Sequence, residues 1–184
     1  MSTDALTRPM IPSQIRERIL ALCPRYPSKQ AVTLPALHLV HEHFRCVPRR
    51  AQAEIAELLE ITPAEVHDTM SFYGFFPQAP IGDVRVWMCR SLSCMLRGGD
   101  ELLRHACGRL GVEPGSTTSD GKVTLGYAEC LGICDFAPAA LADDGRIFGP
   151  LDEATVDRML EEVKKGPVTD ATTTPVVGTG VVVG

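Results

Sequence analysis

The chain has 184 residues, enough for one ordinary domain or for a compact domain preceded by a small helical one. Hydrophobic residues make up 45% and charged residues 22%, the balance of a soluble globular chain rather than a disordered or membrane-spanning one. A net charge of −5, with Lys and Arg scattered along the chain, supplies no basic field for nucleic acid.

Met1 to Met10 carries Thr, Asp and Pro where a signal peptide needs an apolar core, and no later stretch reaches the length of a spanning helix, so neither export nor insertion is expected. From Ser13 to about Tyr73 apolar residues recur at one-turn spacing: Ile15, Ile19 and Leu22, then Leu37, Val40 and Phe44, then Ile55, Leu58 and Leu59. This spacing predicts four short helices, a bundle over residues 13–76. The last has the clearest start, because Thr62-Pro63-Ala64-Glu65 offers an N-cap, a Pro at the first helical position and a capping-box Glu. Val66, Met70 and Tyr73 would form its apolar stripe.

Turn formers from Pro77 to Gly82 mark a boundary, and residues 82–165 then alternate strands with helices. Asp83 to Met88 reads as a strand, and Gly99 to Leu110 as a helix stopped by Gly111, with Leu103, Ala106, Cys107 and Leu110 on one face. A second strand, Val123 to Glu129, follows the turn at Asp120-Gly121. Short strands near Ala139–Ala142 and Arg146–Phe148 flank a turn at Asp144-Gly145, and a helix from Asp152 to Lys165 closes the domain. This alternation of strands and helices predicts an α/β fold of thioredoxin-like type. Residues 166–184 are expected to be a flexible tail.

Seven cysteines, an odd number without an export signal, fit reduced thiols or metal ligands better than a disulfide framework. Cys89 and Cys94 follow the first strand with four residues between them, and Cys130 and Cys134 follow the second with three. If the strands are neighbours in one sheet, both pairs emerge at the same end and four thiolates can converge. A [2Fe–2S] cluster needs that arrangement, since each tetrahedral iron takes two thiolates besides the bridging sulfides. Small or flexible residues at Ser91, Ser93 and Gly132 permit close backbone approach, and Arg90 and Arg97 could offset part of the cluster's negative charge. Structural zinc favours tighter Cys-x₂-Cys knuckles, and a dithiol redox site wants Cys-x-x-Cys at a helix N-terminus.

Cys23, Cys46 and Cys107 lack a cysteine at ligand spacing and read as small buried hydrophobes. His38 and His41 lie one helical turn apart but without a His-Glu-x-x-His motif, so these two and His43, His67 and His105 read as surface or satisfied core positions. Gly178-Thr179-Gly180 resembles a fragment of a dinucleotide loop with no helix after it. Nothing suggests hydrolytic or phosphate-binding chemistry, so no complete active site is expected in this chain alone.

Tyr26-Pro27, Ala53 to Leu59, Ser71-Phe72-Tyr73, Cys89-x₄-Cys94, Asp120-Gly121, Cys130-Leu131-Gly132-x-Cys134 and Ala137-Pro138 together carry a resemblance. From about Ile15 to Lys165 the chain resembles the E-type subunits of NADH-quinone oxidoreductase, the thioredoxin-like [2Fe–2S] subunits of respiratory complex I. The resemblance implies an N-terminal helical bundle, a thioredoxin-like domain, and one [2Fe–2S] cluster on Cys89, Cys94, Cys130 and Cys134. It also implies a flavoprotein partner that binds FMN and NADH, other complex I subunits, and a place at the inner face of the membrane reached through the complex. Arg45-Cys46-Val47-Pro48 departs from the family's usual Gly and aromatic before the Pro, and the Val- and Thr-rich tail has no counterpart. Related diaphorase subunits of NAD-reducing hydrogenases and NAD-dependent formate dehydrogenases share the cysteine spacing. A non-redox module holding structural zinc is the competing reading from another class.

Overall fold

The computed structural model describes residues 9–168 and 176–177. The chain divides into two compact units, residues 1–80 and 81–184.

The first unit is helical: α1 (Ser13–Leu22), α2 (Thr33–Phe44), α3 (Arg49–Leu59) and α4 (Pro63–Phe72). Ile15 and Ile19, Leu37 and Val40, Ile55 and Leu59, and Val66 and Met70 face inward at the one-turn spacing of the sequence and form its core. Leu22, Phe44 and Leu58 sit half-buried at the margin. Tyr73, expected on the stripe of α4, is instead exposed, because the helix stops at Phe72 and Tyr73 adopts extended backbone (φ −99, ψ 113). The capping box of α4 is formed: the Glu65 amide donates to the Thr62 hydroxyl at 3.3 Å, and the Thr62 amide to the Glu65 carboxylate at 2.8 Å. Buried Glu54 on α3 accepts from the amides of Met10 (2.6 Å) and Ile11 (2.9 Å) and pairs with Arg16 (3.3 Å), fastening the chain as it enters α1.

The second unit runs β1 (Val84–Cys89), α5 (Leu92–Leu96), α6 (Gly99–Leu110), β2 (Ser116–Thr117), β3 (Val123–Ala128), β4 (Ala140–Ala142), β5 (Ile147–Gly149), α7 (Glu153–Val163) and β6 (Val176–Val177). The strand order is β2-β3-β1-β4-β5-β6. β1 lies parallel to β3, with Val84 opposite Val123 and Cys89 opposite Ala128, and antiparallel to β4. Val84, Val86 and Met88 alternate onto one face and pack with Val123 and Leu125 against the apolar sides of α6 and α7. The strands and helices read from the sequence are present within a residue or two. Besides short 3₁₀ turns, three elements among the described residues are additional: α5, β2 and β6. Each has five residues or fewer, too few to show a period. Beyond β6, most of the expected flexible tail lies outside the described residues, as does Gly178-Thr179-Gly180.

Arg146 follows the turn at Asp144-Gly145 and has a buried guanidinium. It pairs with Asp144 at 2.6 Å and with Glu162 of α7 at 3.3 Å, and donates to the Gly166 carbonyl at 3.1 Å. Burial alone would raise the Asp144 carboxyl. The Arg146 guanidinium, with the amides of Val168 and Arg146, outweighs burial and holds it below its ordinary value. Among the described residues no helix is long and apolar enough to cross a membrane.

Candidate metal centre

Four of the seven cysteines lie where β1 and β3 end. Because these strands are parallel and in register to Cys89 and Ala128, the chain leaves both at the same edge of the sheet. Cys89 is the last residue of β1, buried, with its amide donating to the Ala139 carbonyl at 2.9 Å. The chain then coils into α5, which turns Cys94 inward while Leu92, Met95 and Leu96 face out. This single turn of helix, closed by the Met95 amide on the Ser91 carbonyl at 2.8 Å, brings residues 89 and 94 back together across the four-residue gap. Gly99 opens α6 directly against this turn. A Cβ there would lie 2.9 Å from the Cys94 carbonyl oxygen and 3.1 Å from that of Cys89, so no larger residue fits without displacing the loop.

The second loop is more open. Cys130 and Cys134 are both exposed. Gly132 between them has φ +75, a left-handed turn that glycine adopts without strain, and Cys134 begins a short 3₁₀ turn through Phe136. Ala137 and Ala139, which follow, form a small apolar cluster with Cys89 and Cys94, and Leu131, Ile133 and Phe136 pack on its edge. The Arg97 guanidinium donates to the Ala137 carbonyl at 3.0 Å, holding the end of α5 to this third segment.

Burial pushes the Cys94 thiol up to about 11, helped by a hydrogen bond with the Cys89 thiol and by the neighbouring charges of Cys89 and Cys134. A backbone hydrogen bond from Ala139 acts the other way. Cys94 therefore stands in electrostatic contact with a thiol of its own loop and one of the other. Among the described residues, no group of three or more His, Cys, Asp or Glu side chains is gathered closely enough to hold a metal ion. A two-iron cluster asks for two thiolates per iron, spread over two centres. The donor set here fits that demand: four free thiols on two loops, with an apolar backing.

The remaining sequence candidates lie elsewhere. Cys46 is buried and Cys23 and Cys107 are half-buried against their cores; burial raises the Cys46 and Cys107 thiols. His38 and His41 pack on Phe75 and Phe76, His67 meets Gln52 at 3.0 Å, and His105 meets Asp157 at 2.9 Å. Sequence reasoning missed α5, Gly99 and the Ala137–Ala139 backing. Arg90 and Arg97, read from the sequence as able to offset part of a cluster's charge, are both engaged in the structure: Arg90 pairs with Glu129 at 2.6 Å and Arg97 donates to the Ala137 carbonyl.

The thioredoxin-like [2Fe-2S] ferredoxin family model matches residues 19–164, and the chain belongs to that family. It is 36% identical over 150 residues to the NADH-quinone oxidoreductase E 2 subunit of Rhizobium meliloti (strain 1021), covering 82% of this chain and 89% of that protein. It is 33% identical over 156 residues to the mitochondrial NADH dehydrogenase [ubiquinone] flavoprotein 2 of Dictyostelium discoideum, covering 83% of this chain and 62% of that longer protein. Among solved structures, an NAD+-reducing [NiFe]-hydrogenase in the H2-reduced state is similar with a TM-score of 0.64 at 30% identity. That match covers 77% of this chain but only 24% of the hydrogenase chain.

Proposed function

We propose that the chain is the [2Fe–2S] electron-transfer subunit of an NADH-quinone oxidoreductase, its cluster held by Cys89, Cys94, Cys130 and Cys134. The observation that carries the reading is the parallel pairing of β1 with β3, which delivers two cysteine pairs to one sheet edge. The family supports the cofactor, and the NADH-quinone oxidoreductase relatives support the setting.

A [2Fe–2S] cluster supplies one-electron acceptance and donation; what the protein supplies is placement and surroundings. Cys89 and Cys94 would hold it from the buried side, where Ala137, Ala139 and Phe136 keep water away. Cys130 and Cys134 would hold it from the exposed side, the side open to an electron partner. The partner in this reading is a flavoprotein that binds FMN and NADH, and the chain sits at the inner membrane face through the assembled complex.

Iron and acid-labile sulfide assays on anaerobically purified protein, with paramagnetic resonance after reduction, test the cofactor. About two irons and two sulfides per chain and a reduced-state signal are expected; a colourless protein carrying one zinc would overturn the reading in favour of a structural module. A second setting, the diaphorase part of an NAD-reducing hydrogenase, draws support from the structural similarity. Affinity purification from the native host separates the two: quinone-site and membrane-arm subunits mark complex I, a hydrogenase large subunit the alternative.

A further inference from the structure

Backbone pairing between the two cysteine-bearing segments ends at Cys89 and Ala128. Past that rung one last bond, the Arg90 amide to the Ala128 carbonyl at 3.0 Å, joins them, and the second loop becomes exposed at Glu129, Cys130 and Gly132. On this exposed side, side chains contribute to the spacing of the loops. Arg90 is the residue after Cys89, and Glu129 the residue before Cys130. The parallel register sets them side by side although 39 positions separate them in sequence. Both Nη2 (2.6 Å) and Nε (3.1 Å) of Arg90 donate to the same Glu129 oxygen, and the guanidinium lies 4.0 Å over the Tyr127 ring. The ring restricts where the guanidinium can go, so the ion pair closes in one place. Each partner adjoins a candidate ligand, so a shift of either moves a thiol.

We propose that Arg90 and Glu129 are a positioning pair that latches the Cys89–Cys94 loop to the Cys130–Cys134 loop and thereby slows loss of the cluster. The inference rests on the four-cysteine reading above. Opposite charges cancel within the pair, so it acts through spacing rather than through net field. This distinguishes it from a counter-charge: as independent charges beside an anionic cluster, Arg90 and Glu129 would act with opposite signs, whereas as a latch their removal acts with the same sign.

The test compares the full-length protein with Arg90→Gln, Glu129→Gln and the double variant. Iron release into a ferrous chelator and the reduction potential are followed, with far-UV dichroism to establish the fold. The latch predicts that each single variant loses iron faster by about two- to fivefold, the scale of an exposed ion pair. It further predicts that the double variant is no faster than either single one, and that Arg90→Lys falls between Arg90→Gln and wild type. Singles that release iron at the wild-type rate, that change it in opposite directions, or whose effects add in the double would overturn the latch while leaving a cluster-bearing wild type intact. A wild-type chain without iron and sulfide would overturn the four-cysteine reading and the latch together.

Discussion

At Gly99 one missing methyl group decides how closely a helix can approach a loop. The carbonyls of Cys89 and Cys94 both lie about where a Cβ would make contact at 3.1 and 2.9 Å, and both are backbone, which cannot swing aside. Gly99→Ala is therefore expected to destabilise the fold by about 1–3 kcal/mol and to lower iron content, as denaturation and metal analysis would report. Gly108, in the same helix, faces open space and has an ordinary helical backbone, so Gly108→Ala is expected to stabilise by about 0.5–1 kcal/mol. A Gly108→Ala variant as damaging as Gly99→Ala would refute this assignment of cause. Among the cysteines, substituting Ser at 89, 94, 130 or 134 is expected to abolish or reshape the reduced-state signal, whereas Cys107→Ala leaves it unchanged and costs only packing. The four candidate cysteines could be picked out because spacing is a property of the sequence. Gly99 was not, because its constraint comes from a contact that exists only after folding.

Short elements matter in proportion to what they fix. The capping box of α4 was readable from four residues, since each bond in it is local. Thr62→Ala is expected to cost about 0.5–2 kcal/mol, measurable as a shift in denaturant midpoint. α5 carries no periodic signal, yet it turns Cys94 inward; its five residues are shaped by neighbours rather than by propensity. The β4–β5 turn illustrates a pH consequence. Asp144 has its folded pKa depressed below the unfolded value of about 3.9, so its contribution is fully present above that pH and is lost as pH falls through the folded value. Arg146→Met leaves Asp144 and Glu162 without their cation and is expected to cost about 3–5 kcal/mol at neutral pH. The difference from wild type should narrow below about pH 4 as Asp144 protonates. Urea denaturation at two pH values checks it, and a gap that stays constant or widens in acid would show that Asp144 is not the partner that matters. The turn itself could be read from Asp144-Gly145. The burial of Arg146 could not, because an arginine is ordinarily a surface residue.

At the scale of the molecule, each unit has its own apolar core, and all four candidate ligands belong to the second. A fragment beginning at Ile81 is expected to fold cooperatively and to give the same reduced-state spectrum as the full chain. Its dichroism and resonance spectra are the measurements; a fragment that aggregates or binds no iron would show that the helical unit is needed for the centre to form. The α/β order of the second unit was legible from alternating strand and helix periods, and the family resemblance added the cofactor. Strand order was not legible, because hydrophobic patterns say which residues are buried but not which strands are neighbours.

The parallel pairing of β1 and β3 also orders events in time. A polypeptide emerging from the ribosome presents Cys89 and Cys94 well before Cys134, and their site lacks its floor until Ala139 has been added and β4 has joined β1. Until then two thiols have no counterparts and no shelter. On the proposed four-cysteine reading, iron and sulfide are received by a largely folded unit, which makes cluster insertion a late step of biogenesis.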